Sequence, residues 1–182
     1  MVNLRTVGHG TLAADDLAAL VTGPGIEIIV DVRSFPASRR HPQFRREAME
    51  RWLPDAGVAY RWEPRMGGRR RPRPDSPHGA LRVPAFRGYA DHMETAEFGD
   101  AVDELLAEAG TRPTAVMCAE SVWWRCHRRL LADATVLLRG AVVEHLFHDG
   151  RLDAHRPTAE ARIDGRRLVY DGGEPGLPLR ES

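Results

Sequence analysis

The sequence predicts an α/β protein of three layers, with a mainly parallel sheet, helices on both faces and a C-terminal β-hairpin. Three observations predict it. Short apolar runs at Leu4 to Gly8, Ile26 to Val32, Thr114 to Met117 and Ala141 to Phe147 alternate with stretches whose apolar residues recur at helical spacing. The run from Ile26 to Val32 is β-branched at five of its seven positions, as suits a strand buried on both faces. Near the C-terminus, Asp164-Gly165 sits between alternating residues from Ala161 to Tyr170, a hairpin signal.

The elements follow in order. Leu4 to Gly8 leads into His9-Gly10-Thr11, and the Ala/Asp/Leu pattern from Leu12 to Val21 fits an amphipathic helix. The Ile26 strand runs into a polar loop from Asp31 to Phe44, rich in proline and arginine. A helix from Gln43 to Leu53 and a strand from Gly57 to Trp62 come next. Arg65 to Pro77 reads Arg-Met-Gly-Gly-Arg-Arg-Arg-Pro-Arg-Pro-Asp-Ser-Pro. Its prolines remove donors and fix φ, so the segment is expected to be mobile or ordered by a ligand, over which it would close as a lid. Helices are expected over Val83 to Met93 and Ala96 to Ala109, the second with acids on one face and Val102, Leu105 and Leu106 on the other. A strand over Thr114 to Met117, a helix from Cys126 to Leu138 and a strand over Ala141 to Phe147 complete a β-α-β unit. The 182 residues suffice for one full core. The expected organisation is an α/β domain over 1–148 and an extension over 149–182 that packs as a hairpin.

The 26 basic residues balance 26 acidic ones, so no global field announces a polyanionic partner. Every basic residue is arginine. That composition excludes a lysine Schiff base. A GC-rich genome explains it without any function, yet guanidinium groups also grip phosphates in a bidentate way that ammonium groups do not. No stretch approaches the roughly 20 apolar residues of a membrane span, and the N-terminus lacks an apolar core after a basic start, so a soluble, cytoplasmic protein without a membrane partner is expected. Cys118 and Cys126 alone make no disulfide framework.

Four polar clusters fall at predicted strand ends: Gly8-His9-Gly10, Asp31 to Arg40, Cys118 to Arg128, and His145 with His148. Their convergence on one rim would make a pocket at the carboxyl ends of the strands, where open α/β sheets bind ligands. The motifs Thr6-Val-Gly-His9, Asp31-Val-Arg33-Ser34, Pro42-Gln-Phe44, Gly67-Gly68-Arg69, Phe86-Arg-Gly-Tyr89 and Met117-Cys-Ala-Glu120 followed by Cys126-His-Arg128 resemble the DUF488 family, in order, over about residues 5 to 147. Gly10 stands where the family usually carries a serine. The resemblance implies an association with DNA repair and glycosylase-type activity, and it brings Ser34, Tyr89 and Arg128 into the candidate substrate-binding set.

Three chemistries compete for these residues. A strand, cysteine loop and helix resemble rhodaneses and low-molecular-weight phosphatases, as does Asp31-Val-Arg33, with Cys118 as a sulfur-transferring nucleophile. Glu120 would oppose a thiolate there, and the loop lacks converging glycines. A buried structural cysteine is the plain alternative. Zinc ligation by Cys118, Cys126, His127 and Glu120 is disfavoured because seven residues separate the cysteines, and adjacent Cys126 and His127 would diverge on a helix. No metal and no cofactor is therefore expected.

The third reading is DNA base excision. Glu120, with Asp31 as runner-up, would stabilise the sugar cation or activate water, and His9 and His127 would handle protons. Arg33, Arg39, Arg69, Arg70 and Arg71 would hold phosphates, and Trp123 and Trp124 would fill or flank a flipped-base pocket. A solvated charged loop and a core tryptophan are the plain alternatives. A non-catalytic nucleic-acid-binding module remains a further reading.

Overall fold

Apolar residues on both parities of the central strands require cover on both faces, and the computed structural model, which describes residues 1–173, has that architecture. Strands β1 (Asn3–Gly8), β2 (Ile28–Asp31), β3 (Ala59–Trp62), β4 (Thr114–Cys118) and β5 (Val142–Leu146) run parallel in the order β3-β2-β4-β1-β5. A strand the sequence did not announce, β6 (Leu152–Ala154), pairs antiparallel with β5 at the edge. Helices α1 (Ala14–Thr22) and α2 (Arg46–Asp55) cover one face, where Leu17, Val21, Met49 and Leu53 meet Val7, Ile29 and Met117. Helices α3 (Pro84–Met93), α4 (Ala96–Ala109) and α5 (Arg128–Arg139) cover the other, where Tyr89, Phe98, Leu105 and Leu130 meet Val30, Val116 and Val143. Each such side chain contributes about 1.5–3 kcal/mol by leaving water. No helix among the described residues is long and apolar enough to cross a membrane.

The chain leaves β1 and β2 toward the α1/α2 face but leaves β4 toward the α5 face. Because β4 lies between β2 and β1, these loops diverge and open a crevice at the carboxyl ends of three adjacent strands.

The C-terminal hairpin, β7 (Ala161–Asp164) and β8 (Arg167–Tyr170), turns on Gly165 at φ 61°, a left-handed conformation suited to glycine. The turn lies one residue later than the sequence signal, because Asp164 pairs with Arg167 and bonds its guanidinium at 2.9 Å. The hairpin belongs to the core. Buried Tyr170 donates its hydroxyl to Asp133 Oδ2 at 3.0 Å, and Asp133 also bonds the His155 ring and the Thr158 amide, both at 2.9 Å. Residues 174–182 of the expected extension lie outside the described residues.

Two expectations need correction. The helix expected from Gln43 begins at Arg46, after a 3₁₀ turn over Pro42–Phe44 and an extended Arg45. The segment from Arg65 to Pro77 is a fixed wall and not a free lid. Arg65 bonds Glu63 and Glu104, the Arg73 amide donates to Asp91 at 2.8 Å, and the Arg73 guanidinium reaches Glu94 at 2.9 Å. The wall lies directly on α3 at Gly88, where a Cβ would come within 2.5 Å of the Arg71 backbone carbon. Gly88→Ala is therefore expected to lower stability by about 1–3 kcal/mol in urea unfolding. An unchanged midpoint would show that the wall is not seated on α3.

Candidate functional site

The crevice holds two contiguous cavities of about 580 and 470 Å³, which share Arg33, Phe35, Arg69, Ala119 and Glu120. The first reaches down to Cys118, Cys126 and His127, and the second extends to His9, Ser38 and His41. A larger cavity of about 960 Å³ lies among α4, α5 and the hairpin, and its carboxylates Glu94, Asp103 and Asp164 are paired with Arg73, Arg139 and Arg167. The crevice is the chemically equipped site.

Its frame is a buried ion pair. Asp31 ends β2 fully buried, and Arg33 Nη2 and Nε bond its carboxylate at 2.6 and 2.9 Å. The Tyr60 hydroxyl adds a bond at 2.6 Å. Arg33 also donates to Phe44 O at 2.8 Å and meets His9 Nε2 at 3.2 Å. Asp31, expected as a second catalytic carboxylate, is thus saturated. Arg33 is committed to it and not to a phosphate.

His9 stacks on Phe44, and its Nδ1 bonds Gly10 O at 2.9 Å, which leaves Nε2 to accept from Arg33. Burial, reinforced by the Arg33 charge, pushes its pKa down to about 4. It cannot be the proton donor expected of it near neutral pH.

The loop after β4 carries Glu120 with its side chain exposed and its carboxylate engaged only by a long 3.5 Å contact from the Val122 amide. The loop is held from below by Arg128, buried to 1% exposure, which bonds Glu120 O and approaches Thr6 Oγ1 at 3.5 Å. Gly8 leaves room for this, because a Cβ there would collide with Glu120 O. Arg128, expected to bind substrate, instead supports the loop from the interior and lines neither cavity.

Other expected contacts are also displaced. Tyr89 is wholly buried in the core, donating to Met66 O at 3.1 Å. Trp123 stacks on buried His145 at 4.1 Å and 7°, away from the cavities, and Trp124, 46% exposed, leans on Phe147. A tryptophan pair flanking a flipped base is not what forms. Arg70 folds back on Gly67 O at 3.0 Å. Arg39 and Arg71 are exposed but line neither cavity, whereas Arg69 lines both. Ser34 lines the first cavity and accepts from the Arg69 amide at 3.1 Å. Of the four polar clusters, three converge. His145 is instead buried in a chain from Thr6 Oγ1 (2.7 Å) to His155 (2.9 Å), and His148 bonds Gly8 O at 2.6 Å.

Sequence reasoning missed three wall residues. Phe35 is 71% exposed, with the Arg69 guanidinium 5.8 Å from its ring centre. Among the described residues, the His41 ring has no hydrogen-bond partner, and Arg125 has no ion-pair partner. An apolar side chain between Ser34 and Pro36 in a polar loop was the available signal for Phe35.

At the cavity floor lie both cysteines. His127 Nδ1 is 3.6 Å from Cys126 Sγ and 3.9 Å from Cys118 Sγ, while its Nε2 bonds Val32 O at 3.0 Å. His127 Nδ1 thus faces the two sulfurs at the cavity floor. The Cys118 thiol is pushed up, first by its hydrogen bond with Cys126 and then by burial; Cys126 is pushed down by the same bond and by His127. The raised thiol argues against Cys118 as a nucleophile.

This is a three-layer α/β protein with a cationic, carboxylate-bearing crevice at the carboxyl edge of its sheet. It belongs to the DUF488 family: the family described as "Domain of unknown function DUF488" matches residues 13–135. That match begins after the Thr6 to His9 motif and ends before β5. Compared with curated proteins and with solved structures, the chain gives no match.

His9 and His145 are held uncharged, His145 at a pKa of about 3 through burial, the neighbouring His155 and Arg128. Unfolding releases both to the ordinary value of 6.5, so below it the unfolded chain binds protons that the folded one refuses. Stability is therefore full above that value and falls as pH drops toward 4. The loss reaches up to about 2 kcal/mol per histidine at pH near 5. Thermal unfolding is expected to shift down by roughly 5–10 °C between pH 7 and 5, with a smaller shift in His145→Gln. A flat profile would contradict neutral burial.

Proposed function

We propose that the protein is a DNA-repair enzyme that excises damaged bases by cleaving the N-glycosidic bond, with Glu120 as the reacting carboxylate. The observation that carries this reading is that Glu120 is the single acidic side chain lining the two cavities. Arg69 and Arg125, which have no ion-pair partners, and the exposed Phe35 ring share that lining. Several arginines elsewhere are paired: Arg61, Arg65, Arg112 and Arg139 reach carboxylates within 2.8 Å. The rim guanidiniums of Arg69 and Arg125, with Arg39 and Arg71 further out, are left for phosphates.

A base extruded from the duplex stacks on Phe35, a contact worth about 1–3 kcal/mol. As the bond from C1′ to the base nitrogen breaks, its electron pair leaves with the base and C1′ becomes cationic. Glu120 stabilises that cation and takes a proton from the water that adds to C1′. His41, with both ring nitrogens unengaged, protonates the leaving base in place of His9. A base already carrying positive charge needs no such proton, so alkylated purines depend least on His41. With no lysine in the chain, the product is an abasic site and not a strand break made through a lysine Schiff base.

The test incubates wild type, Glu120→Gln and His41→Ala with end-labelled duplexes bearing alkylated, oxidised or deaminated bases, reading abasic sites and breaks separately. Wild type is expected to leave abasic sites, Glu120→Gln to be slower by about 10²–10⁴-fold, and His41→Ala to lose neutral lesions more than cationic ones. DNA affinity is expected to fall steeply with salt. No base release across the panel, or full activity in Glu120→Gln, overturns the reading.

A further inference from the structure

We propose that Cys118 Sγ, Cys126 Sγ and His127 Nδ1 are three ligands of one zinc ion whose fourth position opens on the crevice beside Glu120. Three features of the fold carry the inference.

The first is local backbone geometry. Adjacent Cys126 and His127 were expected to diverge on a helix, but Cys126 is extended, at φ −127° and ψ 154°, and precedes α5. His127 takes the helical conformation at the α5 N-terminus, so the two side chains turn back toward Cys118 at the end of β4. The seven intervening residues form the Glu120 loop and one 3₁₀ turn over Trp123–Arg125, which return the chain to the strand end.

The second is distance. The three donor atoms all lie within 4.8 Å of one another. Zinc–sulfur bonds of about 2.3 Å and zinc–nitrogen bonds of about 2.0–2.1 Å at a tetrahedral angle separate nitrogen from sulfur by about 3.5 Å. The observed 3.6 and 3.9 Å need only small side-chain adjustments to reach that separation.

The third is the surrounding shell. His127 Nε2 donates to Val32 O at 3.0 Å, which fixes the tautomer that leaves Nδ1 with a free lone pair. Gly68 closes over the ring, where any Cβ would strike the imidazole. Arg128 is buried without a carboxylate partner, and its Nε makes no hydrogen bond. Two thiolates and an imidazole are a soft donor set that selects zinc over magnesium or calcium.

All three ligands line the cavity that also holds Glu120, so the site is open on one side. Catalytic zinc sites have three protein ligands and an open position, and there zinc makes bound water acidic near neutral pH. That last role rests on the base-excision reading, whereas ion binding does not. Simple S–H···N hydrogen bonds would hold the same atoms at similar distances, and oxidation would join the sulfurs, so the experiment separates these states.

The full chain, untagged and expressed with zinc, is analysed by elemental mass spectrometry and by cobalt(II) substitution. About one zinc per chain and a sulfur-to-cobalt charge-transfer band with intense tetrahedral d–d bands are expected. Both should be lost in Cys126→Ser and weakened in His127→Gln. Cobalt titration of the zinc-stripped wild type keeps the test decisive if a variant fails to fold. Freely titrating thiols without metal or charge-transfer band, or an intramolecular disulfide in the protein as isolated, overturns the proposal. Metal content is read without any DNA substrate. Zinc without base excision would sink the function and keep this site, and base excision without zinc the reverse.

Discussion

A carboxylate fully buried at the end of β2 has to be paid for, and the way Asp31 is neutralised shapes everything above the sheet. Arg33 must double back to meet it, and in doing so ties Phe44 O and His9 Nε2 into the same knot. Tyr60 closes the far side. Removing either partner of such a pair leaves an unpaired buried charge at a cost of about 3–5 kcal/mol. The Arg33 backbone is fixed as well, since its carbonyl accepts from the Trp62 indole at 2.8 Å. Phe35 then projects outward while Ser34 meets the Arg69 amide. The exposed ring and the cationic wall thus follow from a pair that takes no part in chemistry itself.

Around this frame the polar groups divide into engaged and unengaged. Asp31, Arg33, His9 and Arg70 direct polar groups at protein partners, as does Arg128 through its terminal nitrogens, and each holds a loop in place. Glu120, His41, Arg69 and Arg125 present theirs to the crevice. Groups left unengaged at the switch point of an α/β sheet are where function is expected to reside, because fold stability does not require them there. The sulfur cluster is a third kind, buried yet not satisfied by strong hydrogen bonds, since a thiol is a weak donor and a weak acceptor.

The fold was legible because periodicity survives in every layer. Ile28 and Val30 pack to one face and Ile29 to the other, and α4 ends where its pattern ends. The site was legible only in part. Strand ends put Glu120 and Cys118 on one rim, where both line the first cavity, but sequence does not reveal who partners whom. Asp31 and His9 read as reactive residues because their types are reactive; the ion pair and the stack on Phe44 that occupy them are tertiary. Trp123 found His145, from a strand 22 residues on, as its stacking partner. The angle between Cys126 and His127 depended on a helix beginning at Arg128, two residues later than the pattern indicated, and helix starts are the least certain feature of any periodicity. β6 was missed because three residues carry too little pattern to be seen.

The account turns on the crevice around Phe35 and Glu120 as the place where a base is received. The direct measurement is photocrosslinking of a duplex carrying one diazirine-bearing base, followed by peptide mapping of the attached protein residue. Attachment within the loops following β2 and β4, at or next to Phe35 and Glu120, and its loss when unlabelled damaged duplex is added, is the predicted result. Attachment confined to the cavity between α4, α5 and the hairpin, or no attachment above that of an unrelated protein, would contradict it.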